Sequence, residues 1–415
     1  MDAADRSADR PVGSAWRRTV WVLSALAVLG AAARWWPSTS VSRIDYYVYG
    51  GAISFARGGG SLYDYAHEVL ELPFLYPPFA ALVLWPTSVL TDRSGELLWA
   101  GTTLVCTVGF LVVAGREFAP VVARRWPTSP LADPGLLVPV VVAAGVWTMP
   151  ATLNARLGQV NALMAVLVVV DVWLVRRRST PSAVAGVGTG LAAAIKLTPA
   201  ALVPYFVLAR RQRQAVVAVV AAVAATLVAA AVFPSDTWRF FTVEVFSTDR
   251  APDVSIEFNH SIRRLATFLP DERLELLVWA VVSVGVLIWA YRRAVQADRA
   301  GDVMLATTLV MLATYVVNPL TWGHHLFFLV PATLWWLATS DSWWRWSVGV
   351  IALVSLFDPI GGGETVELTL VRFGVMVVML VALPVGSPGA PAVGRPVVDA
   401  TSGSEPVPGT QSAAP

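Results

Sequence analysis

The residues able to do chemistry fall in a few short stretches of an otherwise apolar chain. Asp45 is followed by Tyr46, Tyr47 and Tyr49, which sets a carboxylate beside hydrogen-bonding aromatic rings. The same polar stretch carries Asp64, Glu68 and Glu71, with Tyr63 and Tyr76 close by. Further on, Gln159 and Asn161 sit in Gly-Gln-Val-Asn, Asn259 and His260 precede Arg263 and Arg264, and Trp322 precedes His324 and His325. A last polar stretch covers 358–364. Amides, hydroxyls and aromatic faces suit sugar hydroxyls, and paired arginines grip phosphate oxygens bidentately. His324 or His325 fits as a donor to a phosphate or a sugar hydroxyl. Lys196 is the only lysine in the chain. An ammonium held in lipid costs about 2.5–3.5 kcal/mol, so it either contacts a phosphate or carboxylate in a polar cavity or snorkels to the interface. For Asp45 the alternative reading is a helix cap or an interfacial carboxylate.

Several chemistries are not written here. There is no Gly-x-Gly-x-x-Gly after a strand, no Walker loop and no Asp-x-Asp pair to hold a metal-nucleotide. An activated sugar, if one is used, should therefore arrive through the bilayer on a lipid. Adjacent histidines point apart and no third ligand has the right spacing, so no metal and no cofactor are expected. The single cysteine, Cys106, has no intrachain partner.

The elements that must position these groups are dictated by composition. Of 415 residues, 56% are hydrophobic and 14% charged, against about 25% charged in a soluble domain. The deficit runs along nearly the whole length, which makes the chain an all-α polytopic membrane protein and excludes a soluble enzyme. A net charge of +2 gives no basic face for a nucleic acid.

Apolar runs long enough to cross a bilayer lie near 19–36, 96–114, 136–150, 158–175, 183–209, 215–233, 275–292, 303–317, 323–338, 344–358 and 366–384. The run 183–209 is broken by Pro199 and Pro204 and flanked at both ends by arginines, which predicts a hairpin of two short helices and about twelve membrane helices. Small residues at Ala31 to Ala33 resemble a signal-peptide cleavage site, but the run continues through Arg34, Trp35 and Trp36 as an interfacial belt.

Basic clusters in short loops mark the inner face. Arg17/Arg18, Arg124/Arg125, Arg176 to Arg178, Arg210 to Arg213, Arg292/Arg293 and Arg345 alternate consistently if 79–90 does not cross, which its length and bounding Pro78 and Pro86 favour. The polar stretches then converge on the outer face of a cell membrane, as ordinary solvated loops would not. Residues 1–15 and 386–415 read as disordered cytoplasmic ends. The membrane domain spans 16–385, with 37–95 as a first outer loop carrying juxtamembrane helices. No internal repeat is visible, which disfavours transporters built on inverted repeats.

Taken in order, these strings resemble glycosyltransferase family 87, membrane enzymes of the GT-C fold. The carriers are Asp45 with Tyr-Tyr-Val-Tyr-Gly-Gly-Ala, Leu-Tyr-Asp-Tyr (62–65), the Pro-Phe-Leu-Tyr-Pro-Pro stretch opening 73–86, Gly-Gln-Val-Asn (158–161), the Lys196 segment (190–200), Phe-Asn-His-Ser before Arg263, and Asn-Pro-Leu-Thr-Trp-Gly-His-His (318–325). The resemblance covers roughly 19–340, and within the family the likeness is to actinobacterial phosphatidylinositol-mannoside α-1,2-mannosyltransferases. It implies a polyprenyl-phosphate-mannose donor, a glycolipid acceptor in the bilayer, and an outer-loop aspartate as catalytic base, here Asp45. Donor phosphate contacts would come from Arg263, Arg264, Lys196, His324 and His325. Sugar or acceptor contacts would come from Tyr63, Tyr76, Gln159, Asn161, Asn259, His260 and Trp322.

The family more often shows Asn-Gln-Ser at Asn259-His260-Ser261 and Ser-Pro-Ile-Ser-Trp at 318–322, departures that bear on the acceptor. Other readings are an arabinofuranosyl or other hexosyl transferase of the same fold, a transporter of lipid-linked sugars, or a non-catalytic assembly subunit. A transporter would need polar groups near the bilayer midplane, whereas here they gather at one rim.

Overall fold

Runs of Ala, Val and Leu offer no side-chain competitor for the backbone, and an apolar surrounding leaves each N–H and C=O to be satisfied within its own segment; such runs become helices. A computed structural model of the chain describes residues 13–35, 43–67, 71–90, 93–176, 182–247, 253–357 and 365–385. Its helices are α1 (Ser14–Trp35), α2 (Ile44–Arg57), α3 (Pro78–Val83), α4 (Trp85–Val89), α5 (Arg93–Arg125), α6 (Pro134–Gly145), α7 (Met149–Leu157), α8 (Asn161–Arg176) and α9 (Val187–Ile195). There follow α10 (Leu202–Leu208), α11 (Gln212–Val232), α12 (Pro234–Thr242), α13 (Ile262–Ala266), α14 (Glu272–Arg299), α15 (Val303–Val317), α16 (Leu329–Thr339), α17 (Trp343–Leu356) and α18 (Val366–Ala382). Among the described residues there is no strand, only isolated bridges at Ala66–Pro73 and Thr148–Phe357.

Each apolar run overlaps one of these helices, and 183–209 overlaps a pair; 136–150 ends in the start of α7, and 323–338 opens with a 3-10 segment, Gly323–Phe328, ahead of α16. By length and composition, α5, α11 and α14 are long and apolar enough to cross a membrane. Along α11, Val216, Val220, Val223, Leu227 and Val228 are all exposed. An uninterrupted apolar stripe of that length is tolerated against lipid and not against water. The chain is a multi-helix membrane protein. The stretch 79–90 forms α3 and α4, helices of six and five residues, each spanning less than ~10 Å and far too short to cross ~30 Å of hydrocarbon. Helix α1 starts at Ser14, slightly before the expected boundary at 16. Expectations for the terminal tails, Trp36, Glu68, Arg177, Arg178 and 358–364 lie outside the described residues.

The pair α9 and α10 forms the expected hairpin. Gly186 abuts Gln214 and Gly190 abuts Ala218 and Ala222, so α9 runs parallel to α11. Helix α10 leads into α11 through Arg210 and Arg211 and runs the opposite way. Lys196, in extended backbone, caps α9 at the tip, ahead of the 3-10 turn Thr198–Ala201. Because the N-cap of α9 is Gly186, with φ of 111° and no capping side chain, its first amides are satisfied from a neighbour. Asp171 of α8 accepts from the Thr189 N–H at 2.7 Å, the Thr189 hydroxyl at 2.7 Å and the Gly188 N–H at 3.2 Å.

The described arginine clusters gather at one end of the helical layer. There Arg17 pairs with Asp133 at 2.8 Å, Arg211 with Asp298 at 2.6 Å, and Arg125 donates to the Ser340 carbonyl at 3.1 Å. Arg345 and Arg293 cap the end of α18 at the Ala382 and Leu380 carbonyls. At the opposite end Arg43 donates to the Trp35 carbonyl at 2.8 Å and the Glu96 carbonyl at 3.1 Å, tying the start of α2 to α1 and α5.

The contact of α9 with α11 can be tested by overpacking. A Cβ on Gly190 would overlap the Ala218 carbonyl oxygen, whereas Gly101 has open space. Gly190→Ala should lose about 1–3 kcal/mol, seen as a lower melting temperature in detergent. Gly101→Ala, on an exposed helix surface, should leave melting unchanged or raise it slightly.

Candidate active site

At the end of the layer opposite the arginine clusters lies a cavity of about 690 Å³. Its wall is built by α2, the segment 72–77, the turn 157–159, the Lys196 tip, the region of α12 to Ser247, and 318–325. Asp45 lies in the first turn of α2. The buried face of that helix, Tyr46, Tyr49, Ala52 and Ile53, fixes its roll, and the Tyr46 hydroxyl donates to the Leu90 carbonyl at 2.7 Å. Asp45 is left facing the cavity, surrounded by protein yet open to the void.

Gln159 is the partner of Asp45. Its Oε1 accepts from the Tyr76 hydroxyl at 2.9 Å and the Tyr49 hydroxyl at 3.1 Å. Its side chain lies on the same wall as Asp45 and pulls the carboxyl toward ionisation, as an amide offering its Nε2 hydrogens does. The turn is clamped from several directions. Trp99 Nε1 donates to the Gly158 carbonyl at 2.8 Å, and the buried Asn154 donates to the Gln159 carbonyl while accepting from the Asn161 N–H, both at 3.1 Å. Gly158 is required twice over, by its φ of 78° and by the close approach of Tyr46.

Across the site, the Lys196 ammonium lies 3.3 Å from Asn161 Oδ1, 2.9 Å from His325 Nε2, and 5.4 Å from the Tyr76 ring centroid. His325 Nδ1 accepts from the Trp322 N–H at 3.2 Å. The Trp322 and His324 rings lie nearly parallel, with centroids 6.4 Å apart. His324 Nδ1 is buried and has no hydrogen-bond partner among the described residues. Burial pushes the Asp45 carboxyl up to about 6, while the Gln159 hydrogen bond and the positive charge of Lys196 pull the other way.

The cavity brings together Asp45, Tyr63, Tyr76, Gln159, Lys196, Trp322, His324 and His325 from the expected set. Asn161 stands behind Lys196 on a separate small void. The other four residues do not line the cavity. Asn259 donates to the Val254 and Pro319 carbonyls at 2.9 and 2.8 Å and accepts from the Thr321 N–H at 2.9 Å; it fastens its own loop to the one bearing Trp322. His260 joins the same zipper through its backbone N–H and ring Nδ1, both at the Thr321 carbonyl. Burial and the nearby Arg372 charge push its imidazole down to about 3, so it is neutral and carries no charge for a phosphate.

Arg263 and Arg264 lie on α13, a five-residue helix packed on α14. The Arg263 guanidinium is ion-paired with Glu275 and lies 5.8 Å from the centroid of the Trp279 ring. Arg264 is buried nearby. The Arg263 charge is thus drawn to Glu275 and not to the cavity. Conversely, Tyr49, noted only as a neighbour of Asp45, Asn318, noted only as part of a motif, and Phe240 and Glu244 line the cavity without having been given a role in the site. Tyr49 had a readable signal, since it follows Asp45 by four residues and so shares its helix face. The others are brought in by α12 and the end of α15, from far along the chain.

The geometry is that of a carboxylate held by an amide, opposite a cation and two imidazoles, in a largely apolar cavity. It suits proton abstraction on one wall and anion stabilisation on the other. The sequence model of glycosyltransferase family 87 matches residues 74–319, a span that includes Gln159, Lys196 and Asn318 but begins after Asp45. A polyprenol-phosphate-mannose-dependent alpha-(1-2)-phosphatidylinositol mannoside mannosyltransferase of Mycobacterium tuberculosis is 33% identical over 76% of this chain and 74% of its own length. A protein of the same description from Mycolicibacterium smegmatis is 32% identical over 68% of this chain and 63% of its own length. A phosphatidylinositol pentamannoside mannosyltransferase from that organism is 30% identical over 71% and 69%. No solved structure matches the chain. With more than half of its length under the family's sequence model and a relative this similar over three quarters of it, the chain belongs to glycosyltransferase family 87.

Proposed function

We propose that the protein is a polyprenyl-phosphate-mannose-dependent α-1,2-mannosyltransferase acting on a phosphatidylinositol mannoside or related glycolipid, with Asp45 as its catalytic base. The observation that carries the reading is the Asp45–Gln159 pair facing Lys196, His324 and His325 across one cavity. The mannosyltransferases that resemble the chain supply the donor and acceptor classes.

In this scheme Asp45 takes the proton of an acceptor hydroxyl as its oxygen attacks C1 of a β-linked mannosyl phosphate from the face opposite the phosphate. The C1–oxygen bond to phosphate breaks, its electron pair leaves with polyprenyl phosphate, and the anomer is inverted. A phosphate departs as an anion without prior protonation, so one base suffices. Lys196, with His325 and His324, offsets the charge gathering on the leaving group. Tyr63, Tyr76 and Trp322 line the sugar side. Asn161 acts by holding Lys196, and Asn259 and His260 by holding the Trp322 loop.

For the membrane arrangement, the reading is a GT-C-type domain over 16–385 with about twelve crossings and the cavity on the outer face. In support, the arginine clusters and the cavity occupy opposite ends of the helices, and basic residues collect on the inner side of membranes. Residues 37–95 then form an outer loop, and the segments before 16 and after 385 lie inside.

Transfer from polyprenyl-phosphate-mannose to a phosphatidylinositol mannoside by purified protein tests the activity. Asp45→Asn should lower the rate at least about 100-fold with unchanged melting; transfer at the wild-type rate would remove Asp45 from the role. The base must be ionised, so the rate should fall as pH drops through about 6. A rate flat across pH 5–7 would contradict an Asp45 base. For orientation, Cys106→Ser followed by Thr242→Cys or Thr128→Cys should give outside labelling for the first site and inside labelling for the second in intact cells. Labelling of both from one side would overturn the topology.

A further inference from the structure

We infer that Gln159 is a positioning residue for Asp45, its carboxamide locked by the Tyr49 and Tyr76 hydroxyls so that it presents Nε2 hydrogens to the base, and that it does not serve as a sugar contact. The inference rests on the reading of Asp45 as catalytic base. Three features of the site carry it. The Gln159 Oε1 is taken by two hydroxyl donors, Tyr76 at 2.9 Å and Tyr49 at 3.1 Å, and Asn161 Nδ2 stands at 3.4 Å. An oxygen so placed has no lone pair to spare for a substrate hydroxyl. The side chain is buried, although its edge reaches the cavity wall. Its backbone is pinned by Trp99 and Asn154, so the amide cannot shift to follow a ligand.

Rotating the amide by half a turn would aim its NH₂ at the tyrosine oxygens and its carbonyl oxygen at the Asp45 carboxylate, setting acceptor against acceptor. The hydroxyls can accept as well as donate, so the ionised carboxylate selects the orientation, the hydroxyls hold Oε1 in it, and it steadies the ionised form of Asp45. The tyrosines come from separate parts of the fold, Tyr49 from α2 and Tyr76 from the 72–77 segment. The lock thus closes only when the outer loop is seated on α2. Two opposing influences act on the carboxylate: its enclosure favours the proton, and the amide and Lys196 favour its loss. The groups facing it are Tyr49, Tyr76 and Lys196, with Glu244, His324 and His325 also on the cavity wall.

The test is the pH dependence of kcat, together with the donor KM, for wild type, Gln159→Leu, Gln159→Glu and Tyr49→Phe in the mannosyl transfer assay. Gln159→Leu should lower kcat about 10- to 100-fold, move the acidic limb up by about one pH unit, and leave the donor KM within about two-fold, as expected when the lost group acts on the base and does not touch the donor. Gln159→Glu keeps the shape but faces Asp45 with a second carboxylate, so its limb should move up further. Tyr49→Phe, which removes one hydroxyl from Oε1 and keeps the ring, should move the limb in the same direction by less. Should Gln159→Leu fail to fold, the Glu and Phe variants carry the same comparison.

A raised donor KM with kcat and limb unchanged would make Gln159 a substrate contact and overturn the inference. So would an unmoved limb in both Gln159→Glu and Tyr49→Phe. Asp45→Asn in the same assay separates the two levels. If it transfers at the wild-type rate, the base assignment falls. If it is inactive while the Gln159 and Tyr49 variants keep the wild-type limb, the base stands and the lock falls.

Discussion

The exclusion of water from a layer of helices governs the rest of this molecule. In that layer no backbone group can look to solvent, so each apolar run closes its own hydrogen bonds and each irregular segment needs partners supplied by protein. The hairpin of α9 and α10 shows how this works. Its first helix has glycine where a capping side chain would stand, and Asp171 reaches across from α8 to take the orphan amides. Its tip carries the only lysine of the chain, which lines the cavity. The same constraint that makes helices thus decides where a charge can be kept.

The polar end of the layer is ordered by amides. Asn154 closes the turn bearing Gln159, and Asn259 joins two loops whose meeting points are 60 residues apart in sequence. Neither lines the cavity. They hold side chains that do, and an amide suits this task because it donates and accepts at once without adding a charge to a poorly solvated site. The aromatic residues divide similarly. Tyr46 seats α2 on its neighbours, whereas Tyr76 both underlies Lys196 and binds Gln159.

Charge is arranged with comparable economy. At the arginine-rich end, ions pair with carboxylates or cap helix carbonyls, as at Arg211–Asp298 and Arg345–Ala382. At the cavity end Asp45 and Lys196 face each other with amide and imidazole neighbours between them. Each charge eases the desolvation of the other, yet the cavity keeps them from closing into a pair that would consume both. A carboxylate and an ammonium therefore coexist within one small cavity.

The amino-acid sequence by itself determined the membrane class, the long apolar helices, the break ahead of Pro199 and the family. These depend on local composition and order along the chain, and a helix in an apolar medium is a local object. It also marked some of the polar residues that line the cavity, because groups such as Asp45, Gln159 and His325 are too polar to stand beside apolar runs without cause. Only the tertiary structure decided which way those groups point. Arg263 and His260 carry the right chemistry in the right loop, yet one is drawn to Glu275 and the other to the Thr321 carbonyl. The bond from Tyr76 to Gln159 spans 83 residues of chain. Contacts of that range depend on how separate helices pack, and side-chain direction follows from packing and not from the string of residues around it.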